Sequence, residues 1–193
     1  EITNIYDIAS AIKYIPLQTT DNSLIRYIYD IRTTDDRLYI SMLRQILCFD
    51  RMGNYLYKLE MQGRGPEEYT AIYDWDISLE NKLLVILASK KILFYNETPN
   101  GFVYLKALNF KSQPSKIRFS ESQNSILLSY SVSGFETFRN VLIDLDGDTI
   151  ISRHNYYEYT KFGGNGFSAF TYDNINFRCN GKLCFKELFS DTI

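Results

Sequence analysis

Four stretches of this chain fall into register when laid over one another, and that repetition is what most limits the fold. Ile31–Ile40, Ile77–Ile86, Ile117–Tyr130 and Ile175–Phe185 each open on an isoleucine-led segment, pass a polar turn and return as a second apolar segment. The turns are Asp35-Asp36, Glu80-Asn81, Gln123-Asn124 and Asn180-Gly181. Asn-Gly between strands is the strongest short hairpin signal, because both residues tolerate positive φ. Asp36, Asn81, Asn124 and Gly181 stand 45, 43 and 57 residues apart, so the unit is about 45 residues long.

A second hairpin follows the first in three of the units. Ile46–Asp50 precedes Gly53 and Tyr55–Tyr57; Ile92–Asn96 precedes Gly101 and Phe102–Tyr104; Val141–Asp144 precedes Gly147 and Thr149–Ile151. A repeated four-stranded antiparallel unit of this length is the signature of a β-propeller blade. The expected fold is therefore all-β: a propeller of four-stranded blades, about four of them, with residues 1–193 forming one propeller domain or a fragment of one. Inner strands are expected near 27–34, 73–79, 115–120 and 172–178. Sixteen Tyr and thirteen Phe agree with strands over helices. One short amphipathic helix is expected near 5–12, where Ile5, Ile8 and Ile12 are spaced by three and four and Asn4 can cap. A WD40 reading lacks support, since Trp75-Asp76 opens a strand where that pattern closes one.

Charge removes several function classes. Twenty-one Lys and Arg stand against twenty-three Asp and Glu, a net charge of −2 without a single-sign block, which leaves no footprint for nucleic acid or an anionic membrane. No apolar run approaches the roughly 20 residues of a transmembrane segment.

Gly63-Arg64-Gly65-Pro66-Glu67-Glu68-Tyr69 looks at first like a phosphate loop. Such a loop needs a helix N-terminus after its glycines. Here strand patterns flank it on both sides, so it reads as a corner carrying the chain from one blade to the next, with Gly63 and Gly65 free to take positive φ and Pro66 fixing its own. Lys161–Phe167 occupies the matching place after the third unit. Adjacent Glu67 and Glu68 point opposite ways in extended chain and do not make an acid/base pair; capping a turn or pairing with Arg64 suits them better. Asp74 and Asp76 share a face at period two. If that face looks into a channel, metal or polyol binding is open to them; pairing with Arg or capping a turn is the alternative. His154 is the sole histidine, in a strand-like setting without a nucleophile elbow, and reads as a surface or edge-strand residue. Cys48, Cys179 and Cys184 are expected as free, mostly buried thiols, the last two being diagonal neighbours across a two-residue turn.

Tyr14–Ile25, the Phe49–Gly53 turn, the Gly63–Tyr69 loop and Phe189–Ile193 together resemble the NHL-like six-bladed β-propeller proteins of the Bacteroides type. The G-x-G-P-x-E-Y loop is the most specific of these motifs. The resemblance implies export, often as a lipoprotein, hence a periplasmic or cell-surface location, and no defined activity. Six blades of about 45 residues need roughly 270 residues, so the chain is expected to be part of a longer ring. Alone it is expected to be unstable or to associate through its edges, with Lys13–Leu17 as the strand a closed ring recruits for its last blade.

The expected function is a non-enzymatic scaffold presenting a propeller face to a glycan, peptide or protein. Arg64, Tyr69 and Trp75 are its expected contacts, with Asp74 and Asp76 beside them; Arg supplies a planar donor fork and the aromatics a stacking surface. The alternative is a propeller enzyme, such as a metal-assisted hydrolase or lactonase. No catalytic residue, metal ligand or cofactor is assigned, because the inner-strand polar residues are scattered rather than convergent.

Overall fold

The computed structural model describes residues 4, 9–78, 80–131, 136–156, 175–179 and 182–186, and its regular structure is almost entirely β. Strands follow one another as antiparallel meanders. The first sheet contains β1 (Asp30–Thr33), β2 (Arg37–Ser41), β3 (Ile46–Asp50) and β4 (Tyr55–Leu59); the second contains β5 (Asp74–Ser78), β6 (Leu83–Ala88), β7 (Lys91–Thr98) and β8 (Gly101–Asn109). The third contains β9 (Lys116–Ser120), β10 (Ser125–Ser129), β11 (Phe138–Ile143) and β12 (Thr149–His154), and β13 (Ile175–Cys179) pairs with β14 (Lys182–Lys186). Strand order within each sheet is chain order. The four expected inner strands are β1, β5, β9 and β13.

The second sheet shows how the units stack. All six residues of β6 are buried, a run that a sheet wet on one face would not tolerate. Its alternate residues serve two different cores. Leu84 and Ile86 join Tyr39, Cys48 and Tyr57 of the first sheet, whereas Leu83, Val85 and Leu87 join Ile117, Phe119, Ile126 and Leu128 of the third. The second sheet is thus a slab with one face toward the first sheet and the other toward the third. The first sheet's remaining face, with Ile40, Leu47 and Phe49, is covered by Leu17 and Ile25 of the N-terminal segment.

Local chemistry sets the hairpins. Asp50 Oδ1 accepts the Met52 and Asn54 backbone N–H groups at 2.8 and 2.9 Å, and Asp144 Oδ1 repeats this with Asp146 and Asp148 at 2.9 Å each. Gly53 has φ of 90°, and a Cβ there would lie 2.0 Å from the Pro16 carbonyl oxygen, so glycine is required twice over. That approach lets Gln18 N–H reach Gly53 O at 2.8 Å.

One local expectation is corrected, and others lie outside the described residues. Residues 9–12 are irregular rather than helical, and 5–8 lie outside the described residues. Lys13–Leu17 is irregular, and Gln18 after it donates its N–H to Gly53 O and accepts the Tyr55 N–H of β4 on Oε1; the strand expected of Lys13–Leu17 belongs to a closed ring. The Lys161–Phe167 corner, the Asn180-Gly181 turn and Phe189–Ile193 lie outside the described residues.

Candidate site at the mouth of the inner strands

On the first three inner strands, charged residues stand two apart: Asp30 and Arg32 on β1, Asp74 and Asp76 on β5, Lys116 and Arg118 on β9. Period two places each pair on one face, and the neighbouring inner strand lies too far off for a backbone ladder. Carboxylates bridge the gap. Asp74 Oδ2 accepts the Ile117 N–H at 2.8 Å and Arg118 Nη1 at 2.7 Å. Asp76 Oδ2 accepts the Phe119 N–H at 2.9 Å and Arg178 Nη2, from β13, at 2.7 Å. Two carboxylates two residues apart thus satisfy two N–H groups two residues apart on β9.

Arg32 closes the network from the other side. Its guanidinium lies 2.6 Å from Asp30, 3.4 Å from Asp76 Oδ1 and 5.4 Å above the Trp75 ring, a cation–π contact. Burial pushes the Asp74 carboxyl above its ordinary value, opposed by Arg118, Lys116 and the Ile117 N–H. Asp76 is fully buried. The shared face of Asp74 and Asp76 is therefore real, and it meets arginine and backbone N–H.

A cavity of about 520 Å³ opens where these strands begin. The first residues of the three inner strands, Asp30, Asp74 and Lys116, line it together with Arg32, Tyr29 and Tyr73. Tyr29 is 65% exposed and Tyr73 53%, each standing one residue before its inner strand. Trp75, by contrast, is 1% exposed and packs against Tyr39 at 6.4 Å between ring centroids. Tyr69 is also 1% exposed, in the core between the first two sheets. Neither expected aromatic offers solvent a stacking face, because each fills the wedge where two sheets converge. Of the five expected site residues, Asp74 and Trp75 line the cavity, Asp76 lies behind it, and Arg64 and Tyr69 belong to the corner loop. Sequence did carry a signal for the tyrosines that do face solvent: Ile-Tyr-Asp, found also at 5–7, occurs at 28–30 and 72–74, one repeat apart.

The Gly63–Tyr69 loop is built around Glu68. Its carboxylate accepts the Gly65 N–H at 2.8 Å and occupies the space beside Gly63, where a Cβ would come within 1.9 Å of Oε2. Neither glycine takes positive φ. The expectation of left-handed glycines is corrected: Gly63 instead leaves the space that the Glu68 carboxylate occupies. Carbonyls of Gly65 and Glu68 then accept Lys91 Nζ at 3.1 and 2.5 Å, and Glu67 O accepts the Tyr95 hydroxyl at 2.7 Å. The loop pins the first sheet's exit to the second sheet, and Arg64 projects from it exposed.

His154 lies exposed on β12, the last strand of its sheet, between the Phe138 and Tyr156 rings. Cys48 is buried, and burial pushes its thiol up to about 12. Cys179 is exposed and Cys184 half-buried, so the thiols are less buried than expected. Among the described residues no three His, Cys, Asp or Glu side chains gather to hold a metal ion, and no helix is long and apolar enough to cross a membrane.

These features define an all-β protein of consecutive blade-like antiparallel sheets, joined along their inner strands by buried ion pairs. The chain belongs to the DUF4934 family, a domain of unknown function whose family model matches residues 1–193. A Bacteroides fragilis NCTC 9343 protein described as exported is similar in structure, with TM-score 0.62 at 22% identity over 75% of this chain and 42% of its own. Hydrazine synthase of Kuenenia stuttgartiensis is similar at TM-score 0.50 and 12% identity, over 73% of this chain and 40% of its own. At these identities the likeness is one of fold. The chain spans less than half the length of either protein. Comparison with curated proteins returned no match.

Proposed function

We propose that the chain supplies the blades of a longer NHL-like β-propeller, one domain acting outside the cytoplasm as a non-enzymatic binding scaffold. The exported description of the Bacteroides fragilis neighbour supports the location. The carrying observation is the roughly 520 Å³ cavity flanked by the half-exposed Tyr29 and Tyr73. Tyrosine presents a rigid apolar face with a polar tip, at low entropic cost of ordering, which suits a glycan or peptide contact. The stacking role expected of Tyr69 and Trp75 passes to these two, with Asp74 and Trp75 forming the cavity wall. Asp74 and Asp76 are each held by an arginine and a backbone N–H. Carboxylates so engaged favour a scaffold over a hydrolase that must spare them for ligation or proton transfer.

The test is immobilised protein probed with glycan and peptide arrays, alongside Tyr29→Ala and Tyr73→Ala. Binding that both substitutions abolish at an unchanged melting temperature supports this face. Binding indifferent to both places the partner elsewhere and overturns the reading.

A further inference from the structure

A second hollow of about 300 Å³ adjoins the cavity, and Met42 lines both. Tyr27 belongs to the second hollow and Tyr29 to the first; their rings stand edge to face, 5.3 Å between centroids. Both rings are substantially exposed, at 48% and 65%. The two hollows thus form one groove crossing an aromatic ridge.

The charges of this groove do not cancel. Lys58 pairs with Glu60 at 2.7 Å, Arg32 with Asp30 at 2.6 Å and Arg118 with Asp74 at 2.7 Å. Arg26, Arg44 and Lys116 line the groove without an ion pair among the described residues, whereas Asp21 is the one lining carboxylate left over. Arg26 and Lys116 fall in different hollows, one on each side of the tyrosine ridge. The chain as a whole is net negative, so this local surplus of cations is not a reflection of bulk composition.

The backbone N–H groups of the two tyrosines that line the first cavity are already spoken for. Tyr29 N–H donates to Ser41 O at 2.9 Å and Tyr73 N–H to Leu87 O at 2.9 Å. An extended peptide therefore finds no free donor row at these tyrosines on which to add a strand. A pyranose needs none, because its C–H face packs on a tyrosine ring and its hydroxyls reach side-chain donors.

We infer that the groove takes an acidic oligosaccharide, with uronate carboxylates placed on Arg26, Arg44 and Lys116 and sugar rings laid on Tyr27 and Tyr29. This rests on the scaffold reading and names its ligand class. Cations spaced along a groove recognise charges repeated along a polymer, and part of the affinity is then electrostatic and salt-sensitive.

The test is calorimetric titration of the protein with tetragalacturonate, cellotetraose and tetraglutamate as probes. Tetragalacturonate is expected to bind about tenfold or more tighter than the neutral glucan, with affinity falling as salt rises. Lys116→Ala is expected to weaken the uronate and leave the glucan unchanged, and Tyr29→Ala to weaken both, each at an unchanged melting temperature. Equal binding of glucan and uronate overturns the acidic preference while leaving the face a glycan binder. Tighter binding of tetraglutamate overturns the carbohydrate assignment while leaving the scaffold. Failure of all three probes overturns the inference, and the array experiment with Tyr73→Ala then decides the scaffold reading separately.

Discussion

The wedge between the first and second sheets and the wedge between the second and third solve one packing problem with different residues. The first is the richer in large aromatics: among its aliphatic side chains stand Tyr39, Tyr57, Tyr69, Trp75 and Tyr95. Their hydroxyls also supply its polar links. Tyr39 donates to Glu97 Oε1 at 2.7 Å, Tyr57 donates to the same oxygen, and Tyr95 reaches Glu67 O. The second wedge is mostly aliphatic, with Val85, Leu87, Ile117, Ile126 and Leu128. Such side chains cannot hydrogen-bond, so the links across it fall to separate residues, Asp74 and Asp76 on the innermost strand. Tyrosine combines volume and hydrogen bonding in one side chain, whereas an aliphatic joint must place buried charge elsewhere.

The two designs differ most in what one lost group costs. Asp76→Ala leaves Arg32 and Arg178 without their shared carboxylate and the Phe119 N–H without an acceptor at a fully buried position. The expected loss is about 3–5 kcal/mol, read from the urea unfolding midpoint. Asp76→Asn retains an acceptor for Phe119 and should lose less. If alanine and asparagine cost the same small amount, the charge network does not hold the second wedge.

The tyrosine wedge should degrade in smaller steps. Tyr57→Phe removes one of two donors to Glu97, with an expected loss of about 1.5–3 kcal/mol, since the acceptor is charged. Tyr39→Phe should behave alike. Together they should exceed their sum, because the second deletion strips the carboxylate of its last tyrosine, and a coupling of about 0.5–3 kcal/mol is the expected reading of the double-mutant cycle. Strict additivity would show that Glu97 finds solvent instead.

A third difference is one of pH. The Asp74 carboxyl is raised in the folded chain, with burial as the largest cause. The folded state therefore holds that proton more tightly than the unfolded chain. Its contribution is greatest at acid pH and declines as pH rises from the ordinary value of 3.8 through the folded value. Asp74→Asn should reduce the loss of stability across that window, as urea midpoints at stepped pH would show. A steeper decline in the variant would mean that Arg118, not burial, governs the group.

Sequence revealed the units better than the joints. Turn spacing and strand alternation placed β1, β5, β9 and β13 close to their observed positions, because hairpin register is a local property. The buried run Leu83–Ala88 announces a slab covered on both faces, but which alternate set meets which neighbour depends on the order of sheets in space. The same limit hid the tyrosines. Tyr69 and Tyr73 lie four residues apart in one segment, one buried and one exposed, and nothing local separates them. Asp74 and Asp76 could be placed on one face from period two, but their arginine partners come from strands 44 and 102 residues away in the chain. Glu97 was missed entirely: its role depends on two tyrosines from another sheet, 58 and 40 residues distant.

Cys48 makes the contrast between the wedges measurable. It sits in the tyrosine wedge, its thiol pushed up to about 12 by burial, while Cys179 is exposed and Cys184 half-buried. A thiolate is the reactive species, so a disulfide reagent at neutral pH should titrate two thiols in the folded protein and three in denaturant. The slow reaction of Cys48 then reports how often its wedge opens, a local event where the sheets part separately and a global one where they unfold together. Tyr57→Phe should hasten Cys48 labelling out of proportion to its effect on the urea midpoint, because it loosens the wedge that holds the thiol. Asp74→Asn acts on the joint with the third sheet, through Ile117 and Arg118, and should hasten labelling only as far as it lowers global stability. If both variants fall on one line relating labelling rate to global stability, the wedges open together and the difference between them is one of composition, not of independent strength.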